Sequence, residues 1–408
     1  MKYAVILGDG MSDLPIPELG GKTPLEAAHT PNMDFLAKRG VLGLASMVPG
    51  GMHPASDIAN LSVMGYDPRL YYSGRSPLEA VSMGLSLCEG DVAFRCNFVT
   101  LSESGGEGWE NVRMVDYSAG EISTEESSVL INYLRDELFS GKNLGCTLYP
   151  GISYRHCLVF ENSKIGADTT PPHDISGKEV SGYLPKGVNS EALNRLMIGA
   201  KKLLKNHPVN IKRVKQGLNP ANGCWFWGEG VKPSLPLFAD KFGLTGGVIS
   251  AVDLIKGIGI CAGLISIDVP GATGILHTNY RGKAEAALKL LEDNDFVYLH
   301  VEAPDECGHH ADAAGKIEAI EKIDSEIVGV LLAELKKRRE DFSLLLLPDH
   351  PTPVELMTHT SEPVPFALYR SNEEADGQYC YSEANAAKTG IFRADGFKLM
   401  TEFLESRK

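Results

Sequence analysis

Short apolar runs that break abruptly into carboxylates and imidazoles recur along this chain. Tyr3 to Leu7 is followed by Asp9, Phe296 to Val301 by Asp305 and His309, and Leu344 to Leu347 by Asp349 and His350. Uninterrupted apolar runs of about four to eight residues read as strands buried on both faces, the texture of a parallel sheet. The C-terminal half alternates such runs with helical periodicity: Leu235 to Phe242, Gly247 to Val252, Leu254 to Leu264, Ile265 to Val269 and Ala284 to Leu291. A long helix is predicted from Ala314 to Arg339, with Ile317, Ile320, Ile327, Leu331 and Leu335 on one face and basic residues in its last turn. Alternation of this kind calls for an α/β fold, a mostly parallel sheet flanked by helices.

Helix starts are marked by Thr23-Pro24-Leu25-Glu26 and Ser76-Pro77-Leu78-Glu79, each predicting a capping box with proline at the first helical position. Thr30-Pro31 opens a further helix that Gly40 closes. The texture changes between residues 89 and 216, where a Gly/Glu-rich hairpin region at 103–110, a strand at Cys157 to Glu161 and a helix from Ala192 to Lys205 begun by Ser190 surround loops rich in Arg, His and Pro. This stretch reads as a smaller α+β domain inserted into a discontinuous one made of 1–88 and 217–408, with Gly217 to Gly223 as the return linker. Trp225 and Trp227 read as packing residues.

Composition narrows the function classes. The chain has 408 residues, 43% of them hydrophobic, enough for a substantial core, and no apolar segment approaches the length of a membrane span. Its eight cysteines contain no C-x-x-C pair, so zinc-ribbon and dithiol chemistry are not indicated and a reducing, cytoplasmic setting is expected. A formal net charge of -14 argues against nucleic-acid and anionic-membrane partners, leaving a small ligand. An anionic ligand would need local cations or metals.

Asp9, Asp305 and Asp349 with His309, His350 and His359 form such a set: three carboxylates and three imidazoles on loops after strands, at the carboxyl edge where open α/β sheets assemble their sites. That is more than one tetrahedral ion needs, and it suits a pair of divalent ions, manganese by preference, magnesium or zinc as alternatives. His310 is either a further ligand or a solvated neighbour. In His53-Pro54-Ala55-Ser56-Asp57-Ile58-Ala59-Asn60-Leu61, Ser56 is predicted as a helix N-cap, and beside a dinuclear site its hydroxyl is a candidate nucleophile for phosphoryl transfer. No nucleotide motif is present: Gly20-Gly21-Lys22-Thr23 has Ile16 where a phosphate loop needs glycine, and Gly8-x-Gly10 runs on to Asp13 where a dinucleotide fingerprint needs glycine.

The ordered set Gly8-Asp9-Gly10-Met11, Ser56-Asp57-Ile58-Ala59-Asn60-Leu61, Gly65-Tyr66-Asp67-Pro68, Gly74-Arg75, Asp305 with His309, Asp349-His350 and His359 resembles the cofactor-independent phosphoglycerate mutases, specifically their archaeal-type branch. The likeness implies an alkaline-phosphatase-like metal domain with an inserted transferase domain, and interconversion of 3- and 2-phosphoglycerate without 2,3-bisphosphoglycerate. It also implies one ion on Asp9, Ser56, Asp349 and His350, a second on Asp305, His309 and His359, and a phosphoserine at Ser56. Lys256 resembles the family's charge-neutralising lysine, while Arg155, His156, His173 and Asp174, with Arg95, resemble its substrate loops. A histidine there is expected to shuttle the proton between substrate hydroxyls. One segment departs: Tyr117-Ser118-Ala119-Gly120-Glu121 stands where paired arginines are usual. That keeps open a homoserine-type phosphotransferase or a phosphatase using the same centre, and, from another class, an inactive metal-binding scaffold.

Overall fold

The computed structural model describes residues 1–102, 108–139 and 144–405, so the expected hairpin at 103–110 falls largely outside the described residues. The chain forms two compact units, one made of Met1–Tyr72 and Ser234–Lys408, the other of Ser73–Pro233.

The first unit is built on an eight-stranded sheet in the order Ile265–Ile267, Gly246–Ile249, Phe296–Val301, Lys2–Gly8, Phe342–Leu347, Val364–Arg370, Val41–Ala45, Phe392–Arg393. Pairing is parallel except on the two sides of Val364–Arg370. Its central strands are buried along their whole length, as their unbroken apolar runs require. Gly8 pairs with Val301 and Leu7 with Leu347, so the three central strands end at one edge and release Asp9, Glu302 and Asp349 side by side.

The helices cover this sheet. Asp253–Cys261 and Tyr280–Asp293 realise two expected segments, and Phe238–Phe242 is a short helix. The long helix expected from Ala314 to Arg339 is Ala313–Lys322 and Gly329–Lys337 joined through a π turn, Ile323–Val328. In that turn the Asp324 carboxylate accepts from Met33 N at 2.7 Å and Asn32 Nδ2 at 2.8 Å, serving the start of helix Pro31–Arg39, where Thr30 makes no side-chain cap. Thr23 and Glu26 do form the expected capping box.

The second unit has an antiparallel sheet in which Val92–Leu101 is flanked by Arg155–Phe160 and Gly223–Val231; Cys146–Tyr149 lies outside Arg155–Phe160, and Met114–Asp116 pairs with the end of Val92–Leu101 at Thr100 and Leu101. Helices Thr124–Phe139 and Ser190–Leu204 contribute Leu130, Leu134, Leu193 and Met197 to a core with Phe94, Phe98 and Trp225. The expected boundaries at 88/89 and 216/217 give way here to 72/73 and 233/234, because the segment after Gly217 to Gly223 is a strand of this sheet and not the start of a return. Ser76 and Glu79 do not form a capping box. The Ser76 hydroxyl donates to the Gly228 carbonyl, and Glu79 is engaged by Arg75 and Arg95.

Candidate functional site

At the carboxyl edge of the first unit's sheet, the parallel register delivers the predicted ligands into one cluster. Asp305 and His309 share one face of helix Ala303–His309 and come together with His359: His309 Nε2 is 3.2 Å from Asp305 Oδ2, His359 Nε2 is 3.3 Å from Asp305 Oδ1, and the two imidazole nitrogens are 2.9 Å apart. His309 Nδ1 donates to the Met357 carbonyl at 3.0 Å, which turns Nε2 toward the cluster as the candidate ligand atom. Asp9, Asp305 and His350 form a second convergent group, with His350 Nε2 3.7 Å from Asp9 and 3.3 Å from Asp349 Oδ2. Gly10 makes this approach possible: its φ is 58°, and a Cβ there would lie 2.6 Å from Asp305 Oδ1 and 2.5 Å from Thr352 Oγ1.

Ser56 is the first residue of helix Ser56–Val63, not its cap. Ala55 occupies the cap position and offers no side-chain bond, while Asp57 Oδ1 accepts from Ile58 N at 2.9 Å. The hydroxyl is therefore not consumed by the backbone and stands 3.3 Å from His350 Nε2. All seven predicted metal-site residues thus meet in one place. His310 does not join them; it is exposed, with Nδ1 on the Glu306 carbonyl at 2.8 Å, and is the solvated neighbour.

The electrostatics are those of a site short of positive charge. Asp9 is pushed well above the usual carboxylate range by burial and by Asp349, Glu302 and Asp305, and Glu302 is raised to about 8 by burial and the charges of Asp305 and Asp349. Burial also pushes Asp305 upward, but hydrogen bonds from His309 and His359 outweigh it and hold the group well below its ordinary value. His309 is correspondingly raised to about 9, mainly by its hydrogen bond to Asp305. Asp9 Oδ1 and Glu302 Oε2 are buried without a hydrogen-bond partner. Orphaned carboxylate oxygens beside converging imidazole nitrogens are the donor set a divalent cation satisfies, so the residues present fit divalent metals.

Several supporting residues escaped the sequence reading. His300 donates to Asp9 Oδ2 at 2.7 Å and contacts the Ser250 hydroxyl at 3.1 Å, while Asn60 holds Asp349 Oδ2 at 2.8 Å and is itself fixed by Tyr298 OH at 2.6 Å. The available signal was a histidine inside the run Phe296 to Val301, followed at once by Glu302; a polar residue in a fully buried strand needs a partner. Lys256 pairs with Asp268 at 2.6 Å. Its charge is felt by Lys283, whose Nζ donates to the His300 carbonyl at 3.0 Å.

The predicted substrate residues lie in the second unit. Arg95 is buried, bonded to Glu79 at 2.9 Å, with its guanidinium 4.1 Å from the centre of the Trp227 ring. Trp227 also meets the edge of His173, whose Nε2 is 3.6 Å from Asp174. Arg155 donates to Tyr154 OH at 3.0 Å, and Arg75, Arg95 and Arg155 all act electrostatically on one another around the single carboxylate of Glu79. The departing segment is a turn in which Asp116 accepts from Ser118 N, Ser118 Oγ and Gly120 N, with Tyr117 against His173. His156 corrects an expectation. It is buried against Phe98, Nδ1 accepts from Gly151 N at 3.0 Å, Nε2 has no partner, and burial pushes its pKa down to about 3. A histidine so placed is held neutral and is a poor proton acceptor.

Comparison with known proteins adds the following. A family model described as 2,3-bisphosphoglycerate-independent phosphoglycerate mutase matches residues 37–210. A Geobacter sulfurreducens protein named probable 2,3-bisphosphoglycerate-independent phosphoglycerate mutase is 51% identical over 99% of this chain and 100% of its own length. A Methanosarcina acetivorans protein named 2,3-bisphosphoglycerate-independent phosphoglycerate mutase is 51% identical over 96% of each chain. Among solved structures, a Pyrococcus horikoshii protein has a TM-score of 0.80 at 30% identity, covering 100% of this chain and 98% of that one. The cofactor-independent phosphoglycerate mutase of Thermoplasma acidophilum has 0.66 at 26%, covering 99% of each. Among the described residues, no helix is long and apolar enough to cross a membrane.

Proposed function

The chain belongs to the family of 2,3-bisphosphoglycerate-independent phosphoglycerate mutases, and on that ground we propose that it interconverts 3-phosphoglycerate and 2-phosphoglycerate through a phosphoserine at Ser56. The observation that carries the reading is the uncapped Ser56 hydroxyl beside His350 in a buried cluster of orphaned carboxylates and converging imidazoles. Ser56 Oγ gives up its proton and attacks the substrate phosphorus, the bond from phosphorus to the substrate oxygen breaks, and that oxygen takes up a proton in its place. The other hydroxyl of the glycerate then attacks the phosphoserine and releases Ser56.

Asp9, Ser56, Asp349 and His350 would hold one divalent ion and Asp305, His309 and His359 a second, with manganese preferred by the mixed oxygen and nitrogen donors. Bound there, the ions would supply charge neutralisation for the phosphoryl group and lower the cost of ionising Ser56. Lys256 would add a cation near the phosphoryl oxygens. The unit Met1–Tyr72 with Ser234–Lys408 serves as the metal-binding phosphatase-like domain and Ser73–Pro233 as the substrate-binding one. In the latter, Arg95, Arg155, His173 and Asp174 are the candidate contacts to the glycerate. Arg75 joins them, since three arginines around one glutamate favour an anion. Free thiols at all eight cysteines support a cytoplasmic setting.

A second reading rests on the segment Tyr117-Ser118-Ala119-Gly120-Glu121, which brings no cation: a homoserine-type phosphotransferase or a phosphatase with the same metal residues. The deciding experiment incubates the manganese-loaded protein with 3-phosphoglycerate and follows 2-phosphoglycerate through enolase. Turnover is expected, and Ser56→Ala should lower it at least about a thousandfold. No turnover alongside phosphorylation of homoserine would replace the first reading with the second, and full activity in Ser56→Ala would remove the phosphoserine.

A further inference from the structure

Lys316 lies on helix Ala313–Lys322, outside the groups described so far, and its side chain is fully buried. Its ammonium donates three hydrogen bonds: to Ser12 O at 3.1 Å, to Thr352 O at 2.8 Å and to Asp13 Oδ2 at 2.7 Å. Ser12 and Asp13 belong to the loop that leaves the strand of Asp9, while Thr352 belongs to the loop that carries Asp349 and His350. One cation thus ties together the two loops on which these ligands sit. The surroundings lock it from both sides: Asp13 Oδ2 also accepts from Val354 N at 3.2 Å, Asp13 N donates to Glu383 Oε1 at 3.1 Å, and Thr352 N donates to Ser12 O at 3.2 Å.

Thr352 carries the connection on to the ligands. Its hydroxyl donates to Asp305 Oδ1 and lies 3.3 Å from His350 Nδ1, so one side chain touches a ligand from each proposed ion. Packing alone does not explain this arrangement, because an apolar side chain of similar shape would fill the space without the desolvation that a buried ammonium entails. What only the ammonium provides is a fixed three-way link between two backbone carbonyls and a carboxylate. Its three donors are all used, and no water is needed to complete them.

We propose that Lys316, acting through Thr352, is a positioning residue for the metal centre: it sets the spacing between the Asp9 and His350 loops and the orientation of the Asp305 carboxylate. The inference rests on the metal-centre reading above, and the test separates the two. Mn2+ binding to the chelator-stripped protein is measured by calorimetry, together with the melting temperature of the metal-free chain, for wild type, Thr352→Val, Thr352→Ser and the charge-balanced pair Lys316→Met with Asp13→Asn. Thr352→Val and the paired variant are expected to weaken Mn2+ binding about tenfold to a hundredfold, and Thr352→Ser, which keeps the hydroxyl, is expected to restore it to within about threefold. Wild type that binds no Mn2+ would overturn the metal centre itself. Wild type that binds while the paired variant binds equally well would overturn the role of Lys316, and equal binding by Thr352→Val would overturn its action through Thr352, in either case leaving the metal centre standing. Should the paired variant fail to fold, Lys316→Gln with Asp13→Asn, which keeps a shorter polar side chain in the same place, is measured instead with the same expected weakening, and the contrast between Val and Ser at 352 decides the part played by Thr352.

Discussion

A histidine takes its chemistry from its neighbours, and two in this chain stand at opposite ends of the range. His309 is held up at about 9 by the Asp305 carboxylate, whereas His156, sealed against Phe98 with only a backbone N–H for company, falls to about 3. The sequence marked both as functional. It could see that His309 sits four residues after Asp305, one helical turn away, but not that the strand Arg155–Phe160 turns His156 into its own unit's core while Arg155 remains exposed. His156→Gln is therefore expected to lower the melting temperature while leaving the pH profile of kcat unchanged in shape. A profile that loses a limb in this variant would return His156 to a proton-transfer role. Ser56 teaches the same lesson on a smaller scale: a shift of one position, from cap to first helical residue, decides whether its hydroxyl serves the backbone or faces the metal residues.

Elements with strong punctuation were legible, and those shaped by distant partners were not. The strand ends beside Asp9, Glu302 and Asp349 follow from apolar runs alone, and Thr23-Pro24-Leu25-Glu26 forms the capping box its spacing predicts. The same spacing at Ser76 fails because the Ser76 hydroxyl goes to the Gly228 carbonyl, a partner far along the chain, while Arg75 and Arg95 claim Glu79. The π turn at Ile323–Val328 was hidden for a similar reason: hydrophobic periodicity continues through it, and only the need to serve helix Pro31–Arg39 reveals Asp324 as its purpose. Asp324→Ala should thus remove two hydrogen bonds to a carboxylate and destabilise the protein by about 1.5–3 kcal/mol. Denaturant titration at constant m-value would measure it, and a change below about 0.5 kcal/mol would mean the helix start finds other partners.

At the scale of the whole molecule, the α/β class and the convergence of seven candidate ligands were readable because a parallel sheet gathers its strand ends at one edge. The domain boundary was not, since nothing local distinguishes Gly223–Val231, a strand of the second unit, from a strand of the first. The gathered carboxylates and imidazoles make global stability depend on their protonation. His309, raised to about 9, and Glu302, raised to about 8, stabilise the metal-free fold most below their ordinary values, and lose that contribution as pH climbs through the raised ones. His350 and His300, lowered mainly by burial, act oppositely, but only near the ordinary imidazole value of about 6.5; above about pH 7 they are neutral both folded and unfolded. Lys283, lowered to about 8, begins to favour the fold only above that value. Between about pH 7 and 8 the destabilising pair therefore prevails, and the melting temperature of the chelator-stripped protein should fall as pH rises. Mn2+ held by His309 would displace its proton, and the charge of an ion beside Asp9 and Asp305 would favour ionised Glu302, so the loaded protein should lose this dependence, and calorimetry at pH 7.5 in buffers of different ionisation enthalpy should find at least about one proton released per chain. A melting temperature that rises from pH 7 to 8 without metal, together with no proton release, would show that His309 and Glu302 are not protonated in the metal-free centre.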